Sequence, residues 1–566
     1  MIALGHAALG ILASLVLWRA LAQGWVDQAA GDVLSASVLR FGIPTMTAVA
    51  SGLAIALGRI HGRQRSALVA DAISVGCLFV LVFAFALGSL GRDIVGLVFV
   101  AGVVVRFAPA GWLATRAASS LLLFLLAFSV FAFLAAWHQA NSLPLGDQVH
   151  YLLAADRLAH GSLDATLDPA LFRRLTTIDP TDADVATHVV NVAAGARTVQ
   201  GYALPLLLLP GWVFAGRFGA ELVVALAAAW TAAMTALILR DTIADARIRG
   251  GVWAMTAFLP PLVLLATAIY PNSFGAAIIA TAYRVGFTAP ARRPALAGAI
   301  AALTLFLNPR DGLVLLVLVA TSAWYGRAHL VRFGGATVVV AVLVIVSNAL
   351  IYGIPLPYAG YFFGTSQAQA LTNEPSLTFR FWVGLPAMLF DRTFGVAGSA
   401  PWLFIALIGV VPALRAAPRA LVPAAATVVA SLAALSLYRY WEGGYAPPNR
   451  YLVEVLPLLA PFVAHGLIVA RAWWLRVVVG LLIAMSALAS LLLSAMPARA
   501  LNDPFQQQLQ DLFDVALGIN PLGWLPSFIP TTPDWYVGAY LRLVPALAIA
   551  AGLLWYGARM RLRAWR

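Results

Sequence analysis

The chain has 566 residues, of which 62% are hydrophobic and 10% charged, and its mean hydropathy is +0.89. Its net charge is +13, from 36 basic residues, all of them arginine, and 23 acidic ones. A soluble protein carries about 25% charged residues, and a single soluble core stops growing at about 250–300 residues. The composition therefore excludes a soluble globular protein and predicts that lipid surrounds much of the chain. The single Cys77 excludes intrachain disulfides and multi-thiolate metal sites.

Hydropathy predicts an all-α fold, a polytopic bundle of about sixteen transmembrane helices, because each span needs about 20 mostly apolar residues. The predicted spans are 2–21, 39–57, 67–90, 94–112, 117–137, 221–239, 251–270, 274–283, 295–307, 313–325, 334–352, 396–411, 421–437, 451–470, 477–495 and 537–556. Segment 2–21 is interpreted as a retained signal anchor, since no basic region precedes it. The apolar piece 203–218 contains Pro205 and Pro210 and is interpreted as a helix on the outer surface.

Three parts follow from this pattern. Residues 1–116 form an N-terminal group of about four extra transmembrane helices. Residues 117–470 form a core that includes the first outer loop, 139–201, and residues 471–566 form a C-terminal group with an outer loop at 497–534. A further polar region lies near 353–384.

The arginines orient the bundle. With the N-terminus inside, 21 of the 36 arginines and 3 of the 23 acidic residues fall on the inner side, giving +18 inside and −5 outside. Positive charge accumulates in cytoplasmic loops. The excess charge therefore indicates orientation, with both termini cytoplasmic, and gives no support for nucleic-acid binding. Because the long polar segments lie outside, the chemistry is expected there.

The first outer loop opens with Gly146-Asp147-Gln148-Val149-His150-Tyr151. A helix on the membrane surface is predicted here, since apolar and polar side chains separate at helical spacing. The apolar face is Tyr151, Leu152, Ala155, Leu158 and Ala159, and the polar face is Asp156, Arg157 and His160. Asp147 lies at or near the helix start, where it either carries chemistry or caps free N–H groups.

Four later motifs also lie at predicted outer helix ends. They are Tyr270-Pro271-Asn272, Asn308-Pro309-Arg310-Asp311-Gly312, Leu389-Phe390-Asp391-Arg392-Thr393-Phe394-Gly395, and Trp441-Glu442-Gly443-Gly444-Tyr445 with Asn449-Arg450-Tyr451. Ionisable residues at membrane depth indicate function. An outer arginine suits phosphate, because its planar fork binds two oxygens, although anchoring to lipid phosphates is an equal alternative. For Arg310 and Asp311, a solvated interfacial turn is the alternative.

Other site types find little support. The eight histidines are scattered without metal-ligand spacing on a helix face, and there is no Walker loop, dinucleotide fingerprint or Gly-x-Ser-x-Gly elbow. Asp147, Asp311 and Asp391 could supply oxygen ligands to Mg²⁺ or Mn²⁺ if they converge. No cofactor is otherwise predicted.

Together these motifs, with Leu204-Pro205-Leu206-Leu207-Leu208-Leu209-Pro210, resemble the GT-C superfamily of polytopic glycosyltransferases. The chain is similar to the branch of protein O-mannosyltransferases and lipid A aminoarabinose transferases, over about residues 117–470. The resemblance implies an inverting transferase in the bacterial cytoplasmic membrane, with an outward-facing active site. It would move a sugar from a polyprenyl-phosphate donor to an envelope lipid, glycan or protein.

The resemblance also implies roles for single residues. Asp147 matches the acidic residue that acts as, or assists, the general base. Arg310, Arg392 and Arg450 are the candidates for holding the donor phosphate. The remaining candidates for substrate contact are Gln148, Tyr151, Tyr270, Asn272, Asp311, Asp391, Glu442 and Tyr451.

Two positions depart from the resemblance, and two other classes of function stay open. Gln148 and Asn272 stand where relatives often carry acidic residues, so the base function rests on Asp147 alone or the activity differs. A transporter or flippase of a lipid-linked or anionic substrate is one alternative, because Glu454 and His465 lie inside a predicted span. A non-catalytic envelope-assembly protein is the other.

Overall fold

The computed structural model describes residues 116–166, 168–176, 188–193, 195–308, 311–355, 377–438, 441–444, 446–495, 497, 513, 520–529 and 535–560. The four predicted spans between residues 2 and 112 lie outside these ranges, as does Arg310. The proposed N-terminal group 1–116 therefore stays a prediction.

The described residues form helices and a single two-stranded sheet. In the first half of this region the elements are α1 (Arg116–Asn141), α2 (Asp147–Ala159), α3 (Pro169–Leu175), β1 (Val189–Val192), β2 (Gly195–Thr198), α4 (Ala203–Thr242), α5 (Ala246–Phe258), α6 (Leu262–Leu265), α7 (Asn272–Tyr283), a short π-helix (Arg284–Thr288), α8 (Pro294–Ala302) and α9 (Thr304–Leu307).

The second half continues with α10 (Gly312–Ser322), a 3₁₀ turn (Ala323–Tyr325), α11 (Arg327–Tyr352), α12 (Leu377–Phe390), α13 (Val396–Ser399), a 3₁₀ turn (Pro401–Phe404), α14 (Ile405–Ala416), α15 (Pro418–Ser436), a 3₁₀ helix (Arg450–Val455), α16 (Leu456–Val469), α17 (Trp473–Ala495) and α18 (Trp535–Arg559).

Seven helices in the described ranges are long and apolar enough to cross a membrane, and four apolar helices are shorter. The predicted all-α, polytopic membrane fold is thus confirmed. The predicted span 251–270 is wrong as one helix, because α5 ends at Phe258 and a second short helix begins at Leu262. Pro260 and Pro261 separate the two, and proline can neither donate a helical hydrogen bond nor follow a helical residue without crowding it.

Glycines let the spanning helices approach one another closely. A Cβ added at Gly409 of α14 would lie 1.8 Å from the carbonyl oxygen of Phe462 in α16. The same change at Gly298 of α8 would place a Cβ 2.1 Å from the carbonyl oxygen of Phe333 in α11. Small residues at helix crossings are typical of membrane bundles, where dispersion forces drive packing. Larger side chains at these crossings would separate the helices.

The predicted surface piece 203–218 is the first part of α4. The helical backbone breaks at Ala215 and Gly216, and Gly216 has φ +57°. A Cβ at Gly211 would lie 2.2 Å from the carbonyl oxygen of Gly219. Residues eight apart in a straight helix are separated by about 12 Å, so the chain turns back sharply here. Phe214, beside the bend, is 88% exposed, which suits a helix lying in the membrane interface.

The segment between α1 and α4 contains α2, α3 and the β-hairpin. Helix α2 packs against α4, and the Trp212 indole Nε1 donates a 3.2 Å hydrogen bond to Asp156 Oδ1. Asp156 and Arg157 lie on the less buried side of α2, while Leu152 and Ala155 are fully buried. The helix predicted from residue 147 is therefore confirmed, but Ala159, which was predicted on its apolar face, is exposed. Strands β1 and β2 pair antiparallel, with Val189 opposite Thr198.

Substituting Gly216→Ala tests the bend. No other group lies within 4 Å of the added Cβ, so the substitution acts through backbone strain alone. We expect a loss of about 1–2 kcal/mol in stability, measured as a lower thermal midpoint in detergent. Gly480→Ala in α17 is the matched control: it also meets nothing within 4 Å, and in a helix interior it should stabilise by about 0.4–1 kcal/mol. Equal effects of the two substitutions would contradict the strained bend.

Candidate active site

Asp147 is the first residue of α2, and Gly146 with φ 56° precedes it. The helix therefore begins after a glycine, and none of the hydrogen bonds of the Asp147 side chain goes to the helix's own N–H groups. The capping interpretation of Asp147 is wrong. Its carboxylate is instead available for contacts with other parts of the fold.

Three side chains from distant parts of the chain surround that carboxylate. Gln200 Nε2 donates a 2.9 Å hydrogen bond to Asp147 Oδ1, and His188 Nε2 lies 3.3 Å from the same oxygen. Arg450 Nη1 lies 3.6 Å from Oδ2. About a third of the Asp147 side chain, 30%, remains exposed. The carboxylate is thus held firmly and still reachable.

The β-hairpin places His188 and Gln200 close to each other. His188 directly precedes β1 and Gln200 is the second residue after β2, at the open end of the hairpin. Val199 N donates a 3.0 Å hydrogen bond to His188 O, which extends the antiparallel pairing to this end. Both residues lie in the polar loop 139–201 without any periodic signal, and sequence reasoning missed them.

Arg450 is the cation of the site. Its Cζ lies 4.8 Å from the ring centre of Tyr270 and 4.7 Å from that of Tyr451, and Nη2 donates to the Tyr451 hydroxyl at 2.8 Å. Only 12% of the side chain is exposed. A Cβ added at Gly443 would lie 3.2 Å from Arg450 Nε, so the glycine leaves room beside that nitrogen. Nε has no hydrogen-bond partner among the described residues.

Two hydrogen bonds hold the loop that presents Arg450. Asn449 adopts φ 60°, and its Nδ2 donates to Gly395 O at 3.1 Å and to Ser399 Oγ at 2.6 Å. An asparagine tolerates this left-handed conformation better than most residues. The motif at 389–395 therefore supports the motif at 449–451.

Gln148 fixes α2 beside the loop that carries Tyr270. Its Oε1 accepts a 2.9 Å hydrogen bond from Ile269 N, and the residue is 1% exposed. In this arrangement the motif at 146–151 and the motif Tyr270-Pro271-Asn272 lie against each other. The amide at position 148 joins the two segments.

The electrostatic surroundings keep Asp147 ionised. Burial alone would raise the pKa of Asp147, but the hydrogen bond with His188 and the charge of Arg450 outweigh it and hold this pKa well below its usual range. Neighbouring His150 stacks on His188 with ring centres 4.0 Å apart and planes 3° apart. Burial, together with His188, lowers the pKa of His150 to about 3, so His150 is neutral at physiological pH.

A second buried polar cluster lies next to Tyr270. Asn272 Nδ2 donates a 2.7 Å hydrogen bond to Glu454 Oε1, and Asn308 Nδ2 lies 3.4 Å from the same oxygen. Glu454 is 3% exposed and Asp311 is 2% exposed. The residue after Tyr-Pro is an amide here, and it contacts a carboxylate supplied by the 3₁₀ helix that Arg450 begins.

Asp391 has a local structural role in the described ranges. Its Oδ1 accepts hydrogen bonds from Thr393 N at 2.8 Å and Phe394 N at 2.9 Å, and its Oδ2 accepts one from Phe528 N at 2.8 Å. Arg392 N donates to Pro526 O at 3.0 Å, and the Arg392 side chain is half-buried. These bonds join the 389–395 turn to the segment 520–529.

The remaining candidates are distributed around these clusters. Tyr151 is buried in α2 and Glu442 is half-buried in the turn before Gly443. In the described ranges, no three His, Cys, Asp or Glu side chains form a group that could hold a metal ion, Asp147, Asp311 and Asp391 included. The Mg²⁺ or Mn²⁺ site thus finds no support among these three carboxylates.

No protein-family model and no curated protein matches the chain. Among solved structures, the chain is similar to ArnT from Cupriavidus metallidurans bound to undecaprenyl phosphate, with 16% sequence identity and a TM-score of 0.39. The similarity covers 80% of this chain and 76% of that one. At this level of similarity, function has to be argued from the side chains.

Replacing Asp391→Ala separates its structural role from substrate binding. Three backbone N–H groups would lose their acceptor, at a cost of at least about 1–3 kcal/mol. We expect a clear drop in the thermal midpoint in detergent and a smaller drop for Asp391→Asn, which keeps one carbonyl oxygen. An unchanged midpoint combined with lost activity would instead place Asp391 among the substrate contacts.

Proposed function

We propose that the protein is a membrane glycosyltransferase that moves a sugar from a polyprenyl-phosphate donor to an envelope acceptor, which is a lipid, a glycan or a protein. Under this proposal the reaction takes place on the outer side of the bacterial cytoplasmic membrane. The observation that carries it is the contact between Arg450 and Asp147, which joins a buried guanidinium to a partly exposed carboxylate. In this reaction a cation binds the lipid-linked phosphate and an anion assists removal of the proton from the acceptor hydroxyl, so the two groups have to lie side by side.

Arg450 supplies the phosphate side. A guanidinium binds phosphate through two parallel hydrogen bonds, and its charge stabilises the negative charge that develops on the leaving group. The tyrosine rings hold the guanidinium in one orientation, and its Nε is a buried donor with space beside it next to Gly443. Phosphate is already a good leaving group, so no general acid is required.

Asp147 supplies the acceptor side. The acceptor hydroxyl must lose its proton as its oxygen attacks the anomeric carbon, and a negative charge beside that oxygen favours the loss. Asp147 stays ionised because its pKa is held low, and its side chain is partly exposed. A single displacement by the acceptor inverts the configuration at the anomeric carbon.

A transporter or flippase is the second candidate, and two residues favour it. Glu454 is a buried carboxylate hydrogen-bonded to amides, and neither ring nitrogen of His465 has a hydrogen-bond partner in the described part of the chain. Buried ionisable groups of this kind often mark ion or substrate paths. Transport without sugar transfer by the purified protein in vesicles would favour this candidate.

The variant Asp147→Asn tests the acceptor side. The amide is isosteric but neutral, so transfer from a radiolabelled polyprenyl-phosphate sugar should fall at least about 100-fold while the protein still folds and inserts. Asp164→Asn, an exposed carboxylate in the same outer loop, is the matched control and should keep full activity. Unchanged transfer by Asp147→Asn would remove Asp147 from the mechanism.

The variant Arg450→Ala tests the phosphate side. Losing the guanidinium should raise the KM for the donor by about 10-fold or more, and Arg450→Lys should recover little because lysine lacks the planar fork. Arg173→Ala removes an exposed arginine of α3 and controls for the loss of one outer charge. A normal donor KM with only lower expression would assign Arg450 to lipid anchoring.

A further inference from the structure

Helices α7 and α10 lead away from the candidate active site to a second polar region of the bundle. Helix α7 begins at Asn272 and α10 begins shortly after Asn308, and both asparagines contact Glu454. Helices of 12 and 11 residues extend for about 17 Å. The segments that follow them, 284–293 and 323–326, therefore lie at the opposite end of the bundle from Glu454.

Tyr325 joins three segments at this opposite end. Its hydroxyl donates to Arg419 O at 2.6 Å and lies 3.1 Å from Phe287 O. Arg292 Cζ lies 4.9 Å from the centre of the tyrosine ring, and Arg292 Nε donates to Phe287 O at 3.2 Å. The His329 ring also stacks on the tyrosine, with centres 5.0 Å apart. The turn after α7, the turn before α11 and the start of α15 are thus held together.

Four exposed arginines surround this junction. They are Arg292, Arg293, Arg327 and Arg419, which we call the arginine cluster. The charges of Arg292 and Arg419 both act on the Tyr325 hydroxyl. Arg293 is the next residue after Arg292, and Arg327 is the second residue after Tyr325. Fixed backbone contacts therefore bring four positive charges to one place on the surface.

Acidic side chains do not neutralise the arginine cluster. The segments that form this end of the bundle contain no Asp or Glu, namely 284–307, 312–332 and 405–436. The carboxylate of Asp241 lies nearby, but it pairs with Arg284, whose Nε is 3.2 Å from Oδ2. Among the residues that the structure describes, no carboxylate oxygen lies within 4.0 Å of a guanidinium nitrogen of the cluster.

The arginines also do not stabilise the helices that they adjoin. Arg293 directly precedes α8, Arg327 is the first residue of α11, and Arg419 is the second residue of α15. The N-terminus of a helix carries partial positive charge, so a cation is unfavourable there and an acidic residue is favourable. None of these three helices has an acidic residue in its first turn. The cluster therefore holds positive charge that an anion from outside the chain would neutralise.

Apolar surface adjoins the cluster on α10 and α11. Only 11% of the most apolar stretch of α11 is buried inside the protein, and Val331, one turn after Arg327, is exposed. Leu316 of α10 is also exposed, and Trp324, beside Tyr325, is 58% exposed. Exposed tryptophan is typical of the level at which lipid headgroups meet acyl chains. Cations and lipid-facing apolar surface thus lie side by side.

We propose that the arginine cluster binds the headgroup phosphate of an anionic phospholipid, whose acyl chains lie along the exposed faces of α10 and α11. A guanidinium binds phosphate through two parallel hydrogen bonds, and basic pockets between spanning helices suit phospholipid headgroups. A soluble phosphate would contact the arginines alone, whereas a lipid contacts the arginines and the apolar surface. The inference is independent of the proposed function, because the cluster lies at the opposite end of the bundle from Glu454 and Arg450.

Lipid titration of the purified full-length protein in detergent, followed by native mass spectrometry, tests the proposal. Phosphatidylglycerol should bind at least about 10-fold more tightly than phosphatidylcholine, because only the former carries net negative charge. The double variant Arg292→Gln, Arg419→Gln should bind phosphatidylglycerol about 25-fold more weakly, since each arginine near a lipid surface contributes about fivefold. Its binding of phosphatidylcholine should not change.

Two further variants serve as controls. The double variant Arg292→Lys, Arg419→Lys keeps both charges and should retain most of the preference for phosphatidylglycerol. Arg247→Gln removes an exposed arginine from the first turn of α5, at the same end of the bundle, and should bind phosphatidylglycerol like the wild type. Equal thermal midpoints of all variants in phosphatidylcholine establish that they fold.

Three outcomes would overturn the proposal. A wild-type preference for phosphatidylglycerol below about threefold would do so whether or not any variant folds. A loss of binding in Arg247→Gln as large as in the glutamine double variant would assign the effect to overall charge. Displacement of phosphatidylglycerol by glycerol 3-phosphate at equal concentration would identify a site for soluble phosphates instead of a lipid site.

Discussion

The contact between Arg450 and Asp147 is the constraint on which the arrangement of the candidate site depends. A guanidinium at the end of a spanning segment is costly unless a partner and aromatic faces compensate for lost hydration. Asp147 supplies the opposite charge, and Tyr270 and Tyr451 supply the faces. The start of α2, the segment before α7 and the 3₁₀ helix that Arg450 begins therefore meet around one cation.

Close helix packing fixes the relative positions of these segments. Glycines at helix crossings bring backbones into direct contact, so the ends of the spans occupy defined positions. The break at Pro260 and Pro261 is equally important. It ends α5, and the short helix and irregular segment that follow lead to Tyr270. Irregular backbone at membrane depth is tolerated where protein buries it, and Tyr270 is only 2% exposed.

The candidate site divides into residues that face the proposed reaction and residues that hold them in place. Asn449 and Asp391 belong to the second group, since their hydrogen bonds go to neighbouring loops. Gln148 also holds two segments together through Ile269 N. The amide at position 148, which departs from the acidic residue expected by resemblance, also donates from Nε2 to Leu145 O at 3.4 Å, a hydrogen bond that an ionised carboxylate cannot make.

The amino-acid sequence by itself determined the membrane-spanning helical class and the helix from residue 147, because apolar periodicity is a local signal, and it named Asp147 and Arg450 as candidates. Only the tertiary structure decided that these two residues touch, that Asp391 binds backbone groups, and that His188 and Gln200 enclose the carboxylate. The physical reason is sequence distance. Contacts between residues 147, 188 and 450 depend on how helices pack and where a hairpin folds back. Neither the packing nor the position of the hairpin can be predicted from the local sequence pattern.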